Sequence, residues 1–368
     1  MRIVILADPL DNQNAGVHIF TREFIHALVK YDTENEYILI REKRDENLSL
    51  KQIEVPNIRL PIGFASLRLL FIIPLIVRRL KPDVVLEPAH FGPFNLPKRI
   101  KRVTVIHDLT PIIFPQFHRW HSQILQKLFL DRILRNADMV LTNSEHTSQD
   151  VEKYYPVTKG KIVRGLLGKE ELYKPTQSRQ FLAEKQLNSP YFLFVGTVEP
   201  RKNLLVLLEA FADFKKEDNE DTKLILVGGN GWKSDSFLEA LEQHPNRADI
   251  IRPGYVKKQF LPELYSHCKA FIYPSLYEGF GLPILEAMAC GAIVITSDVS
   301  SMPEVGGETA FYINPSLSGS LLEKMKVVAN LNEEEIREKK AQSIAQADKF
   351  SWKKFALNFV ENLKSFID

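Results

Sequence analysis

Several features on which common protein functions depend are scarce in this 368-residue sequence. Cys268 and Cys290 are its only cysteines, too few for a disulfide framework or a cysteine-based metal centre. Both are expected to be core thiols in a reducing compartment. The formal net charge of +2 at pH 7 argues against nucleic-acid binding. Residues 62–80 have nine apolar residues between Arg68 and Arg78, whereas a membrane span needs about twenty.

The nucleotide-binding signatures of two large enzyme classes are also missing. A nicotinamide-dependent oxidoreductase needs G-x-G-x-x-G where a helix begins after a strand. The first predicted strand is followed by Asp-Pro-Leu-Asp at 8–11, and the glycines at 228–231 lack the third one at the required spacing. The absence of Gly-Lys-Ser/Thr excludes a P-loop kinase. No Asp-x-Asp follows a predicted strand to hold Mg²⁺, and cationic side chains could neutralise negative charge instead, so we expect no metal ion. No other cofactor is expected.

The sequence does contain a repeated alternation of strand-like and helix-like segments. Strands are predicted at 2–7, 37–41, 84–87, 103–107, 139–142, 191–196, 223–228, 249–252, 270–273 and 292–296. Helices are predicted at 17–30, 66–80, 120–136, 146–153, 203–216, 234–243, 259–267, 283–290, 317–330 and 352–367. This alternation predicts an α/β protein with two parallel, doubly wound sheets. The first ten residues are therefore interpreted as a strand rather than as a signal peptide.

The length of the chain is sufficient for two domains. Hydrophobic residues make up 45% and charged residues 26%, as in soluble globular proteins. Apolar periodicity lapses over 166–190, which places the linker there. We predict an N-terminal domain at 1–170 and a C-terminal domain at 171–351, followed by an amphipathic helix at 352–368.

The most informative segment is SLYEGFGLPILEAMA at 275–289, in which Glu278 and Glu286 stand eight residues apart. Two glycines and a proline lie between them. Glycine permits a tight turn and close ligand approach, and proline suits the first turn of a helix. Free backbone N–H groups would then lie between two carboxylates, an arrangement suited to phosphates and sugar hydroxyls. The spacing alone also fits a plain strand–turn–helix corner with two surface acids.

A second polar segment, GTVEPRKN at 196–203, follows a predicted buried strand. Asn203 is expected to cap the next helix, which places Arg201 and Lys202 at a helix N-terminus. A guanidinium and an ammonium there would bind a diphosphate. A solvated basic pair is the alternative.

Loops of the first half also fall where doubly wound sheets bind ligands, at the carboxyl ends of strands. The loop after the first strand ends in Gly16, which begins a predicted helix. His107 ends the predicted strand 103–107. The segment 87–90 ends the neighbouring strand, and this segment could line an acceptor pocket. A plain turn at Gly16 and a structural role for His107 remain open at this point.

Taken together, these segments resemble the retaining glycosyltransferases of family 4, which have the GT-B fold of two Rossmann-like domains facing across a cleft. The matching segments are VGTVEPRKNLLVLLEAF at 195–211, GYV at 254–256, YPSLYEGFGLPILEAMACG at 273–291 and SSMPEVGGETAFYINP at 300–315. The match is strong over 191–315 and thinner in the first half, through Gly16, His107-Asp108 and 142–144. Within the family the sequence looks most like bacterial mannosyltransferases of O-antigen and capsule assembly.

The resemblance implies a donor site to which both domains contribute. The residues expected to act in catalysis are His107, Arg201, Lys202 and Glu278, and those expected to bind the donor are Gly16, Val256, Gly279, Phe280, Gly281, Leu282 and Glu286. Arg201 and Lys202 are assigned to the leaving diphosphate, together with Gly16 and the backbone at 279–282. Glu278 and His107 are assigned to the donor sugar, and Glu286 to the ribose hydroxyls. The C-terminal helix is expected to cross back to the first domain, and the cleft to close on the donor.

The implied reaction is retaining transfer of a hexose from a nucleoside-diphosphate sugar to a hydroxyl of a glycan or lipid-linked acceptor, without a metal ion. GDP-mannose is the first candidate donor. A cytoplasmic location is expected, with peripheral contact at the inner face of a membrane. A sugar-nucleotide epimerase and a non-catalytic sugar-nucleotide-binding protein remain alternatives on the same fold. The glycine setting of the two glutamates disfavours the epimerase. The presence of Arg201, Lys202, Glu278 and Glu286 together disfavours the non-catalytic protein.

Residues 62–80 allow two interpretations. Arg68, Arg78, Arg79 and Lys81 flank an apolar run, which fits a helix lying on an anionic membrane. The basic residues near 123–134 could extend the same face. Core packing of two Rossmann-type helices is the other interpretation, and the sequence favours it slightly.

Overall fold

The computed structural model describes residues 1–11, 16–46, 48–56, 68–90, 92, 95–117 and 129–367, and every structural statement below concerns those residues. The chain divides into two compact units. Unit 1 comprises Met1–Gly168 with Ser351–Asp368, and unit 2 comprises Lys169–Phe350. Each unit is built on one parallel sheet, which confirms the predicted α/β class.

Unit 1 contains a seven-stranded sheet in the order β3-β2-β1-β4-β5-β6-β7. Its strands are β1 Arg2–Leu6, β2 Glu36–Arg41, β3 Lys51–Glu54, β4 Val84–Glu87, β5 Lys101–Ile106, β6 Met139–Thr142 and β7 Ile162–Arg164. All neighbouring pairs are parallel. The inner strands β4 and β6 are buried throughout, because the helices of a doubly wound fold cover both faces of the sheet.

Helices of unit 1 follow the strands in turn. They are α1 Gly16–Tyr31, α2 Ile73–Leu80, α3 Thr110–Ile113, α4 at 129–136 and α5 Glu145–Tyr154, with a C-terminal helix Trp352–Ile367. The C-terminal helix packs on α1 through edge-to-face aromatic pairs. Phe24 lies 4.8 Å from Phe355 and 5.1 Å from Phe359, measured between ring centroids. Such pairs add to the stabilisation from burial alone.

The segment 62–80 is described from Arg68 onward, as a π-helical turn, Arg68–Ile72, followed by α2. Ile73 and Val77 are fully buried in the unit 1 core, as the packing interpretation predicts. The opposite side is open, since Phe71 is 58% and Leu75 54% exposed. α2 therefore has one face in the core and one apolar face that no described residue covers.

Arg68 does not belong to that exposed face, so its predicted place among membrane-facing cations is wrong. Its guanidinium forms two hydrogen bonds with the Asp8 carboxylate, at 2.5 and 2.8 Å, and a third with the carbonyl of Val55 at 2.9 Å. A planar fork matched to a carboxylate in this way is held in one geometry. Arg78, Arg79 and Lys81 are exposed.

Unit 2 contains a six-stranded parallel sheet in the order β10-β9-β8-β11-β12-β13. Its strands are β8 Tyr191–Val195, β9 Lys223–Val227, β10 Ile250–Gly254, β11 Ala270–Tyr273, β12 Val294–Ser297 and β13 Phe311–Ile313. Its helices are α6 Gln180–Glu184, α7 Leu204–Phe214, α8 Asp235–Glu242, α9 Leu261–His267, α10 Leu282–Ala289, α11 Met302–Gly306, α12 Ser318–Ala329 and α13 Glu333–Ala347. Within the described ranges, no helix is both long enough and apolar enough to cross a bilayer.

Candidate functional site

The strand order of unit 2 identifies where a ligand would bind. In a doubly wound sheet the binding crevice lies at the carboxyl ends of the two strands where the order reverses. Those strands are β8 and β11, which are neighbours although β9 and β10 lie between them in sequence. Arg201 and Lys202 follow β8, and Glu278 follows β11. Two motifs more than 70 residues apart are thus brought together.

The turn after β11 has the conformation that its glycines predict. Gly281 has a φ of 102°, a left-handed conformation that side chains rarely adopt, and it precedes the first residue of α10. Pro283 lies in the first turn of α10, where its missing N–H costs nothing. Cys290 and Gly291, which has a φ of 77°, end the helix. Glu278 therefore lies before a tight turn, and Glu286 lies within the helix that follows.

Glu278 is held between the two predicted diphosphate ligands. Its Oε2 lies 2.5 Å from Arg201 Nη1, and its Oε1 lies 2.6 Å from Lys202 Nζ. Lys202 also donates a hydrogen bond of 2.5 Å to the hydroxyl of Tyr273. All three charged side chains are largely buried. Burial alone would raise the pKa of Glu278, but the adjacent cations lower it to about 2, so it is ionised at neutral pH.

A second carboxylate balances the charges of this cluster. Glu199 Oε1 lies 2.6 Å from Arg201 Nη2, and Arg201 also donates to the carbonyl of Tyr277 at 2.8 Å. Two cations therefore face Glu199 and Glu278. A bound diphosphate would have to compete with these two carboxylates for Arg201 and Lys202.

Asn203 does not cap α7, contrary to the sequence prediction. It occupies the N-cap position, but its φ of 58° is left-handed and its side chain makes no cap hydrogen bond. Its Nδ2 donates instead to the carbonyls of Pro274, at 3.1 Å, and Pro315, at 2.7 Å. Asn203 thus connects the Arg201-Lys202 turn to the loop that carries Glu278.

Two serines that the sequence analysis did not single out fix the Glu278 turn. The N–H of Glu278 donates to Ser300 Oγ at 3.0 Å. The hydroxyl of Ser301 lies 2.8 Å from the carbonyl of Glu278 and 2.9 Å from that of Phe280. Their only signal in the sequence is their position at the start of the matching segment 300–315.

Glu286 has the opposite electrostatic environment from Glu278. The residue is only 8% exposed. Its Oε2 lies 3.3 Å from the hydroxyl of Tyr265, and Tyr173 also hydrogen-bonds to the carboxyl. Burial raises the pKa of Glu286 to about 8, and Glu170 reinforces this, while Lys258 opposes it. Two carboxyl groups of one motif thus have widely separated pKa values, a pattern typical of functional sites.

In unit 1 the corresponding reversal of strand order lies between β1 and β4, with β5 next to β4. His107, after β5, has Nε2 2.7 Å from the carbonyl of Pro88. Since a carbonyl only accepts, Nε2 carries the proton. The backbone N–H of His107 donates to His90 Nε2 at 2.7 Å, and the two imidazoles stack. Burial lowers the pKa of both histidines, that of His90 to about 3, so both are neutral.

The other predicted donor-binding residues have less distinctive surroundings. Gly16 is the first residue of α1, and a Cβ there would meet no atom of the described residues within 4 Å. Val256 follows β10 and is buried. Phe280 is buried, with 4% of the residue exposed, whereas Leu282 is half-buried. Among the described residues, no cluster of three or more His, Cys, Asp or Glu side chains could hold a metal ion.

Comparisons with known proteins agree with this architecture. Residues 10–164 match the family model described as Glycosyltransferase Family 4, and residues 177–349 match the model described as Glycosyl transferases group 1. The chain is 34% identical over 270 residues to O-antigen chain mannosyltransferase B of Escherichia coli, which covers 72% of this chain and 70% of that protein. It is 29% identical to the serotype-specific mannosyltransferase WbdA of Escherichia coli over 68% of this chain, but only 32% of that longer protein.

Among solved structures, HepE from Anabaena, determined in complex with UDP-glucose, superposes with a TM-score of 0.77. The superposition covers 99% of this chain and 100% of HepE, at 18% sequence identity, and so supports the fold. This chain belongs to glycosyltransferase family 4 and has the GT-B fold.

Proposed function

We propose that this glycosyltransferase moves mannose from GDP-mannose to a hydroxyl of a glycan or lipid-linked acceptor, with retention of anomeric configuration. The observation that carries the proposal is the placement of Arg201, Lys202 and Glu278 in one buried cluster at the strand-order reversal of unit 2, with Glu286 on the helix that follows. The names of the similar proteins support mannose as the sugar and O-antigen glycans as the acceptor class.

The chemistry of transfer requires the enzyme to stabilise a departing diphosphate and an electron-poor sugar ring. Arg201 and Lys202 supply two positive charges for the diphosphate, so the reaction needs no metal ion to neutralise it. As the diphosphate takes over these cations, Glu278 becomes available to accept hydrogen bonds from the donor sugar. Before the diphosphate binds, Glu278 is ionised, because its contacts with both cations hold its pKa at about 2.

His107 contributes a hydrogen-bond acceptor rather than a positive charge. Its Nε2 proton is engaged by the carbonyl of Pro88, and burial keeps the ring neutral. The unprotonated Nδ1 can therefore accept from a hydroxyl of the donor sugar. To accept this hydrogen bond, the His107 ring must keep a fixed orientation. His90 helps to fix it, because it accepts a hydrogen bond from the backbone N–H of His107.

Replacing His90 with phenylalanine is expected to reduce kcat and leave nucleotide affinity unchanged. The change removes the acceptor for the His107 N–H, and an unsatisfied buried N–H costs about 1–3 kcal/mol. His90→Gln, which offers an amide oxygen near the same position, should restore part of the activity. Steady-state kinetics with calorimetry of nucleotide binding measure both quantities. Wild-type kcat in His90→Phe would show that His90 has no positioning role.

The function itself is tested with the purified protein and a panel of GDP-, UDP-, ADP- and dTDP-sugars. Thermal shift identifies the donor, because a ligand at one hundred times its Kd adds about 2.7 kcal/mol of stability. NMR of the product reports the anomeric configuration, and EDTA tests metal independence. Epimerised nucleotide sugar, or binding without any product in the presence of acceptor glycans, would contradict the proposal.

A peripheral membrane location is proposed on the exposed face of α2 and the turn before it. Phe71 and Leu75 are more than half exposed, and Arg79 and Lys81 are exposed beside them. Apolar side chains next to cations favour binding to an anionic lipid surface. Such binding would bring unit 1 to a lipid-linked acceptor.

Changing Phe71 and Leu75 together to serine is expected to release the protein from anionic vesicles at low salt, with nucleotide affinity unchanged. Arg79→Glu should have a similar but salt-dependent effect, because salt screens charge attraction. Leu317→Ser is the matched control, since Leu317 is 56% exposed in unit 2. Vesicle co-sedimentation is the measurement. Wild-type protein that stays in the supernatant with anionic vesicles would contradict the membrane proposal.

A further inference from the structure

A cavity of 880 Å³ lies at the carboxyl ends of β1 and β2 in unit 1. No residue assigned above to the donor lines it. Leu10 and Asp11, which follow β1, form one part of its lining, and Arg41, the last residue of β2, forms another. It lies at the carboxyl edge of the sheet, next to the β1–β4 reversal where doubly wound sheets bind ligands.

Arg41 is the unusual group in this cavity. It is only 5% exposed, and its Nη2 donates to Asp11 Oδ1 at 2.7 Å. Its Nε and Nη1 have no hydrogen-bond acceptor among the described residues, since the Asp45 carboxylate lies 3.9 Å from Nη1. A buried guanidinium with unmet donors is costly. An acceptor supplied by a ligand would remove that cost.

The charges around Arg41 favour an anionic ligand. Asp11 is already engaged, because besides Arg41 it accepts hydrogen bonds from the backbone N–H groups of Glu42 and Lys43, at 3.1 and 3.3 Å. The side chains of Lys43 and Arg44 are exposed and line the cavity, as do Arg22, His18 and His26. Among the described lining residues, the four cations Arg22, Arg41, Lys43 and Arg44 outnumber the three acids Asp11, Asp45 and Glu46.

The same 3-10 turn, Asp8–Asp11, connects this cavity to the apolar face described above. Asp8 pairs with Arg68, which begins the segment that carries Phe71 and Leu75. Asp11 pairs with Arg41. The cavity and the segment that carries the apolar face are therefore both tied to this one turn.

We propose that Arg41, Lys43 and Arg44 form a subsite for a phosphate group of the acceptor. This inference rests on the proposed function, since it takes the acceptor to be a phosphate-bearing molecule. The phosphate could come from a lipid-linked carrier or from a soluble sugar phosphate, and both would present the same oxygen acceptors to Arg41.

The test measures binding, so it does not depend on turnover. Calorimetry at low salt follows inorganic pyrophosphate binding to full-length Lys202→Ala protein, in which the donor site is weakened. Adding Lys43→Ser and Arg44→Ser is expected to weaken binding by about tenfold or more, because two charge-assisted contacts are lost. Arg41→Gln should weaken pyrophosphate binding to a similar extent. If Arg41→Gln misfolds, the Lys43→Ser/Arg44→Ser protein still tests the subsite, because both residues are exposed and their loss does not disturb the core. Arg337→Ser, at an exposed cation of unit 2, should have no effect.

Two further probes identify the source of the phosphate. Farnesyl diphosphate that binds more tightly than pyrophosphate, while farnesol does not bind, supports a lipid-linked acceptor. Equal affinities of the two diphosphates support a soluble one. Pyrophosphate binding that is absent, or that is unchanged in the Lys43→Ser/Arg44→Ser protein, would overturn the subsite. Failure of the proposed transferase activity would appear separately, as loss of sugar transfer in wild-type protein that still binds pyrophosphate through these residues.

Discussion

Lys202→Ala is expected to lower kcat by about a hundredfold or more, which corresponds to about 2.7 kcal/mol of transition-state stabilisation. The physical reason is the loss of one of the two positive charges available to the departing diphosphate. Arg201→Ala should have an effect of the same order. Glu278→Ala should reduce sugar transfer more than it reduces nucleotide binding, because Glu278 is assigned to the sugar.

The measurement is kcat and KM with the donor identified by thermal shift. Tyr273→Phe is the matched control, because it removes the hydrogen bond from Lys202 Nζ to the phenol and keeps the charge. The melting temperature of each variant separates catalytic from structural effects, since removing Lys202 leaves Glu278 paired with Arg201. Near-normal turnover in Lys202→Ala would disprove the diphosphate assignment.

The fold was predictable wherever the determinants are local. Long buried runs such as Tyr191–Val195 and Ala270–Tyr273 identify inner strands of a parallel sheet by their apolar residues alone. The turn at Gly281 and Pro283 was predictable because each residue restricts its own backbone. These local rules sufficed to place Glu278 before a turn and Glu286 on a helix.

The sequence analysis missed β3, β7 and β13, which are the outermost strands of their sheets. β7 and β13 have three residues each, too few to show a pattern, and β3 has polar residues because an edge strand is partly open to solvent. Lys51–Glu54 reads KQIE, with both terminal residues exposed. The helix Glu333–Ala347 was missed because its apolar periodicity is weak, although Asn332 and Glu335 form a capping box that could have been recognised.

The details of the candidate site depend on contacts between residues far apart in sequence. Asn203 was predicted as a helix cap because asparagine commonly caps helices, but the carbonyls of Pro274 and Pro315, 71 and 112 residues away, compete for its side chain. The contacts from His90 to His107 and from Tyr265 to Glu286 likewise arise only when neighbouring elements pack. A single sequence contains no local signal for them.

Glu286→Gln is expected to weaken the binding of both the donor and the free nucleoside diphosphate, because a carboxylate can accept two ribose hydroxyls and an amide oxygen offers fewer acceptor sites. In the wild type, affinity should rise with pH through about 8, the pKa of Glu286 in the unliganded protein, as the carboxyl ionises. In the variant this pH dependence should disappear. Calorimetry of nucleotide binding between about pH 6 and pH 9 measures both effects.

Glu286→Gln is also expected to change how the folding stability depends on pH. The folded protein holds the Glu286 proton up to about pH 8, whereas the unfolded chain releases it near the ordinary value of 4.5. Between these values the folded state binds more protons, so the contribution of Glu286 to stability falls as pH rises. The melting temperature of the wild type should therefore decline relative to that of Glu286→Gln across this window. A constant difference between the two proteins, together with equal nucleotide affinity, would show that Glu286 neither carries the raised pKa nor binds ribose.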